Sequence, residues 1–309
     1  MIRRSPGATL TVAAGLALLA APATAQERAG TLEIGPEFTI SASVNGAPIT
    51  LLVQPEYTEA LRLLNASKAQ EIGLKPSMMY LVENVGPIEL LGKSKKVTLT
   101  IEGTTHDKRV AWYDTEVTTK ADGVMTPGAL PYSRVVFQLR SPTEGEQVTT
   151  LPLDPVRERS FKGGQAWTTI AGRKVTIAFN FERAPTLTNA STGKLLLDAS
   201  GGSVDTQGME TEVRLGLMRP TNLMQLNSPV SIGGLDLSIL AVRTADDGQL
   251  DPGTVRRSPD ENEIVVEAAP GKTPDYEIVV GSEDLKHCSS LTYDFDGGTL
   301  AMSCMPRGG

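Results

Sequence analysis

Hydrophobic and polar residues alternate along much of this chain with a period of two. That spacing puts one side of a strand in a core and the other in water. Val97, Leu99 and Ile101 alternate, Gly103 breaks the run, and Val110-Ala111-Trp112 resumes it. Val230 and Ile232 alternate, Gly233-Gly234 intervenes, and Leu237, Ile239 and Leu240-Ala241-Val242 follow. Short runs bounded by Gly, Pro and Asn predict an all-β protein.

The pattern occurs twice in the same order. Ser43–Gln54 (SVNGAPITLLVQ) and Thr169–Asn180 (TIAGRKVTIAFN) each read as a strand, a tight turn at Gly46 or Gly172, and a second apolar strand. Gln54 stands eight residues after Gly46, and Asn180 eight after Gly172. Leu64-Asn65-Ala66-Ser67 and Thr188-Asn189-Ala190-Ser191 each open a short helix, with Asn as the expected N-cap. Each unit closes on an apolar strand, a loop and a last strand. These are Asp122–Met125 then Val135–Phe137, and Ile278–Gly281 then Leu291–Tyr293. The polar, turn-rich stretch Ser141–Gln165 reads as a linker, so 26–150 and 151–309 are expected to be two domains. Thr244–Asp275, rich in acids and turns, interrupts the second unit as an exposed loop.

The first 25 residues read as an address. Arg3 and Arg4 precede the apolar run Leu10–Ala21, and Ala23-Thr24-Ala25 is a small-x-small cleavage site. Twelve apolar residues are too few to cross a bilayer, which takes about twenty, and no second long apolar stretch follows. The expectation is a periplasmic or secreted protein cleaved near Ala25, with no membrane span in the mature chain. Its net charge is −7, and losing Arg3 and Arg4 makes it more acidic still. An acidic chain is a poor match for nucleic acid. No metal or cofactor is expected: two histidines (His106, His287) and two cysteines are too few for most zinc sites. No Gly-x-Ser-x-Gly elbow or phosphate-binding glycine loop occurs. His106 and His287 lie in polar turns and are expected to be exposed, whereas Trp112 and Trp167 are expected to pack in the core.

Cys288 and Cys304 flank a hairpin turning at Asp296-Gly297-Gly298. Export favours a disulfide between them. Closing a loop of about 15 residues is worth roughly 3 kcal/mol. Its reduction is expected to weaken the C-terminal unit first.

The first unit, with VNGAPITLLV, LLNASKAQEIGL, ADGVM and VVFQL in that order, resembles the retropepsin-like aspartic proteases of bacterial periplasms. Two such units in one chain resemble the bilobal, pepsin-like arrangement. The resemblance implies two β-barrel lobes with short helices, an active site between them, and a monomer whose duplication supplies the twofold interface internally. It also implies one Asp-Thr-Gly or Asp-Ser-Gly loop per lobe, since the reaction needs two carboxylates sharing a proton. The matching positions carry Gln54 and Asn180, followed by Pro55-Glu56 and Phe181-Glu182. An amide cannot take a proton from water.

The reading is therefore a catalytically inactive, aspartic-protease-like protein that binds an extended peptide in the interlobe cleft. One alternative is an active endopeptidase with displaced acids. The candidates are Glu56 and Glu182, each two residues past the expected position, Asp198 in LLLDASG, and Asp205 in VDTQG. A structural envelope protein is the third reading.

Overall fold

The computed structural model describes residues 30–56, 62–85, 88–155, 164–205, 207–244 and 275–306. The leader 1–25 lies outside the described residues, as does 245–274 of the acidic stretch. The chain opens with β1 (Thr31–Ile34). A first set of elements follows: β2 (Thr39–Val44), β3 (Ala47–Val53), β4 (Arg62–Leu64), α1 (Ala66–Glu71), β5 (Leu81–Val85), β6 (Ile88–Ile101), β7 (Thr104–Trp112) and β8 (Gly123–Met125). Next come β9 (Arg134–Gln138) and β10 (Gln147–Pro152). The second set is β11 (Ala166–Ile170), β12 (Arg173–Phe179), β13 (Leu187–Thr188), α2 (Ala190–Ser200), β14 (Gly202–Val204), β15 (Met209–Arg214), β16 (Leu217–Ile232), β17 (Leu235–Arg243) and β18 (Glu277–Val280). The chain ends with α3 (Ser282–Leu285), β19 (Cys288–Asp294) and β20 (Thr299–Cys304).

The two sets repeat one topology. The first sheet runs β2-β3-β8-β4-β7-β6-β5 and the second β11-β12-β18-β13-β17-β16-β14, with β15 also on β16. Parallel and antiparallel pairs fall at the same places: β3–β8 and β12–β18 are parallel, as are β4–β7 and β13–β17. The tight turns also correspond. Asn45-Gly46, Glu102-Gly103, Ala171-Gly172 and Gly233-Gly234 all have positive φ at both positions, the geometry that matches the twist of a two-residue hairpin.

Among the described residues, only the first sheet closes. β2 pairs with β6 through Ala42↔Ile101, Ser43↔Thr100 and Val44↔Leu99, making a six-stranded barrel. In the second sheet the register of β16 against β17 shifts between Gln225 and Val230. The shifted stretch contains Pro229, which has no N–H to donate, and a bulge there bends the strand where closure would occur.

A third sheet, β1-β9-β19-β20-β10, takes strands from both halves. The last strands of the two units pair directly, with Leu291 opposite Phe137 and Tyr293 opposite Val135. One continuous apolar core runs from Ile34 and Val53 through Phe137 and Phe179 to Leu300 and Met302. The expectation of two barrel lobes is thus corrected to one closed barrel, one open sheet of the same order, and a sheet and core that they share.

Several local expectations change as well. The Ser141–Gln165 linker contains a strand: β10 pairs with β20 along its length, and only Leu151 of β10 is fully buried, as suits an edge. Trp112 is buried, but Trp167 is half-buried with Lys174 Nζ 4.8 Å from its ring centroid. Both histidines are half-buried. Asn189 caps α2, its Oδ1 accepting from Thr192 N–H at 2.9 Å. Asn65 makes no such cap on α1. Its Oδ1 accepts from the N–H groups of Val117 and Thr118, and its Nδ2 donates to the carbonyls of Thr118 and Ala121, so it holds the loop before β8. The Cys288–Cys304 disulfide is present, linking residues directly opposite one another in β19 and β20.

Candidate functional site

β3 and β12 end in matching loops. Gln54 N–H donates to the Met125 carbonyl at 3.0 Å, and Asn180 N–H donates to the Val280 carbonyl at 2.9 Å, each on the neighbouring parallel strand. The loops touch, since Phe179 N–H donates to the Pro55 carbonyl at 3.3 Å. Pro55 is buried, and Phe181 lies 5.1 Å from Phe137 of β9, ring centroid to centroid.

The two amides have different tasks. Gln54, 8% exposed, reaches across and donates from Nε2 to Glu182 Oε1 at 3.2 Å. Asn180 turns onto its own loop, its Oδ1 accepting from the N–H groups of Glu182 and Arg183 at 2.8 and 2.7 Å. A short amide suits that role, because an Asn oxygen can meet the backbone two and three residues on.

The four other acids are spread over separate environments. Glu56 is nearly buried and its Oε1 lies 3.4 Å from Arg183 Nη1. Burial pushes the Glu56 carboxyl above the ordinary range, with Arg183 and a hydrogen bond from Asn180 opposing. Glu182 is half-exposed and meets Lys120 Nζ at 3.1 Å as well as Gln54. Lys120 also binds Glu37 at 2.6 Å, and these acids raise its pKa. The two glutamates thus face different cations, which is not the setting in which carboxylates share a proton. Asp198 lies in helix α2, pairing with Lys194 on an exposed face at 2.7 Å. LLLDASG is therefore helical rather than a strand-to-turn loop. Asp205 is exposed and accepts from Gln207 N–H at 3.0 Å within its own turn.

Arg183 is the residue that the sequence reading missed. It is 8% exposed on its side chain and donates from Nη1 to the Glu212 carbonyl at 2.9 Å and, at 3.4 Å, to that of Val213, besides facing Glu56. Its Nε and Nη2 are buried without a partner among the described residues, and burial lowers its pKa. Its partner Glu56 borders a cavity of about 60 Å³, lined also by Arg214, Arg243 and Glu277 among others, room for a water or two. A Glu-Arg dipeptide directly after a strand-end loop was the available signal. Nothing in its spacing says that the arginine is buried.

Two matching apolar rows flank these loops on the opposite side of each sheet from the main core. In the first, Leu52, Val124, Leu63 and Ala111 stand in register across β3, β8, β4 and β7. In the second, Ala178, Val279, Leu187 and Ala241 do so across β12, β18, β13 and β17. Each row is covered from the other unit. Leu215, at the turn between β15 and β16, clusters with all four residues of the first row and with Tyr113. Val85, at the end of β5, clusters with Leu187, Ala241 and Val213.

No family model matches this chain, and no curated protein matches it. Among solved structures, it is similar to the crystal structure of the aspartic proteinase from Irpex lacteus, at 12% identity and a TM-score of 0.41, over 87% of this chain and 94% of that one. Among the described residues, no group of three or more His, Cys, Asp or Glu could hold a metal ion, and no helix is long and apolar enough to cross a membrane.

Proposed function

We propose that this protein is a catalytically silent, aspartic-protease-like scaffold that binds an extended peptide between its two units. In this reading 26–150 and 151–309 are the two lobes, the 1–25 leader directs export, and the mature chain works as a monomer. The observation that carries it is the pair of strand-end loops. They occupy matching places in a repeated sheet order, they touch, and they present Gln54 and Asn180. Neither amide can act as a base on water, and both are engaged by neighbouring groups. In this reading an extended chain is recognised by backbone pairing beside the two strand ends.

The test uses the leaderless protein and an unfolded protein substrate between about pH 2 and 5, where a carboxylate dyad shares its proton. No cleavage is expected, and no binding of a statine-type inhibitor, whose hydroxyl sits between two carboxylates. Gln54→Asp combined with Asn180→Asp should remain inactive, because Pro55 is buried and Phe181 is held against Phe137. Cleavage that survives purification and is lost in Asp198→Asn or Asp205→Asn would establish the active peptidase instead.

A further inference from the structure

Five of the ten large hydrophobic side chains exposed among the described residues are gathered in one place: Met78, Met79, Tyr80, Val82 of β5 and Leu91 of β6. Met78 is 95% exposed and the other four 52–54%. Val82 and Leu91 stand directly opposite one another, and β5 is the outermost strand of its sheet. Leu81 and Leu90, their neighbours in sequence, project from the other side of the same two strands into the buried clusters at the second unit. The exposed face is therefore the outer one, turned away from that unit. Contiguous apolar surface of this kind marks a contact with a protein or a membrane.

The backbone beneath this patch is held in place. Ser77 N–H donates to the Ser94 carbonyl at 2.8 Å, and the buried Ser94 hydroxyl donates to the Met79 carbonyl at 2.6 Å. Arg109 Nη1 donates to both serine hydroxyls at 3.0 Å. The apolar side chains are thus presented on a fixed segment laid along β6. Strand alternation from Leu91 puts Lys93 and Lys95 on the same side, and Lys75 stands exposed two residues before Ser77. Asp114 pairs with Lys93, whereas Lys75 and Lys95 have no acidic partner among the described residues. Glu83 and Glu89 lie farther along the hairpin, toward its turn.

We propose that this outer face of the β5–β6 hairpin binds the surface of an anionic phospholipid bilayer. Met78, Met79, Tyr80, Val82 and Leu91 enter the boundary between headgroups and acyl chains, and Lys75, Lys93 and Lys95 meet the lipid phosphates. A fluid apolar layer moulds itself to a protruding side chain such as Met78 and takes its surface out of water. Tyrosine, with an apolar ring and a polar hydroxyl, suits the headgroup level. The lysines lay their stems along apolar surface and keep their ammonium groups at the phosphates. Lysine is depleted in protein–protein interfaces, which favours lipid over a second copy of the chain. The whole chain carries −7, so an anionic surface repels most of it and contact is confined to this face. The proposal goes beyond the peptide-binding reading and does not depend on it.

The test is flotation with vesicles of phosphatidylcholine, alone or mixed with phosphatidylglycerol. The chain from Gln26 onward is used, because Leu10–Ala21 would itself enter lipid and the first strand begins only at Thr31. Wild type should float with the mixed vesicles, and added salt should weaken the attachment. Met78→Ser combined with Leu91→Ser should lower binding about tenfold. Lys75→Gln combined with Lys95→Gln should lower it about tenfold on the mixed vesicles alone. Val148→Ser removes an exposed apolar side chain of β10, outside the patch, and should change nothing. Thermal unfolding of these variants should match wild type, which separates lost binding from a lost fold. In Leu91→Trp, fluorescence should shift to the blue when mixed vesicles are added, by more than in wild type. No flotation of wild type, a loss shared by Val148→Ser, or an indifferent Leu91→Trp overturns the proposal. So does a wild type that sediments as a dimer and becomes a monomer when Met78 and Leu91 are serine, which would make a second copy the occupant.

Discussion

At the scale of single residues, the same three letters do unlike work. Asn189 caps a helix through Thr192 N–H and donates once to the Asp275 carbonyl, whereas Asn65 makes four bonds to the loop Val117–Ala121 and is 7% exposed. Asn189→Ala should cost about 1 kcal/mol. Asn65→Ala should cost well over that, about 2 kcal/mol or more, because buried backbone groups lose their partners. Urea unfolding of the two variants compares them directly. Glu146 gives a pH prediction. It accepts from Ser289 and Ser303 hydroxyls and from Thr143 N–H, and pairs with Arg140, which together hold its carboxyl down at about 2. A depressed folded pKa means stability that is complete above the ordinary value of 4.5 and is lost as pH falls through about 2. Glu146→Gln should flatten that limb of the stability curve, measured by thermal unfolding at stepped pH. An unaltered limb would assign the acid sensitivity to other carboxylates.

Among the elements, the shared five-stranded sheet changes what the disulfide does. Cys288–Cys304 pins β19 to β20, but β19 also pairs with β9 of the first unit and β20 with β10. The bridge therefore strengthens the junction of the two halves instead of the C-terminal half alone. Replacing both cysteines by alanine should lower stability by about 3 kcal/mol and leave one cooperative transition. Two separated transitions would show that the halves unfold independently. The turn at Asp296-Gly297-Gly298 was legible because glycine-rich turns between alternating runs have few other uses. β10 was not, since an edge strand with a single buried side chain carries almost no periodic signal.

For the molecule as a whole, a core without a break and a sheet built from both halves set the unit of folding. A fragment ending at 150 would keep β1 and β9 but lose β19, exposing Val135 and Phe137, which are fully buried in the whole chain. That fragment is expected to be associated or insoluble rather than a folded monomer, as size-exclusion chromatography and near-UV circular dichroism would show. A soluble, cooperatively folding monomer would mean that the shared sheet contributes little. The reciprocal covering of Leu215 and Val85 points the same way, because each apolar row is completed by its neighbour.

The β class, the duplicated order of elements, the tight turns and the cysteine pair can all be read along the chain. All of these rest on local spacing, which side-chain alternation and glycine's backbone freedom write directly into the chain. The same spacing places amides at two matching strand ends, since equal distances from equal turns need no tertiary information. Packing in three dimensions sets that one sheet closes into a barrel and the other stays open, that Gln54 binds Glu182, that Glu56 faces Arg183, and that Leu215 in a left-handed turn is buried across the molecule. Such contacts join residues far apart along the chain, from 55 positions between Val44 and Leu99 to 163 between Leu52 and Leu215. Their partners are chosen by how two sheets are set against each other, a relation that no run of neighbouring residues encodes.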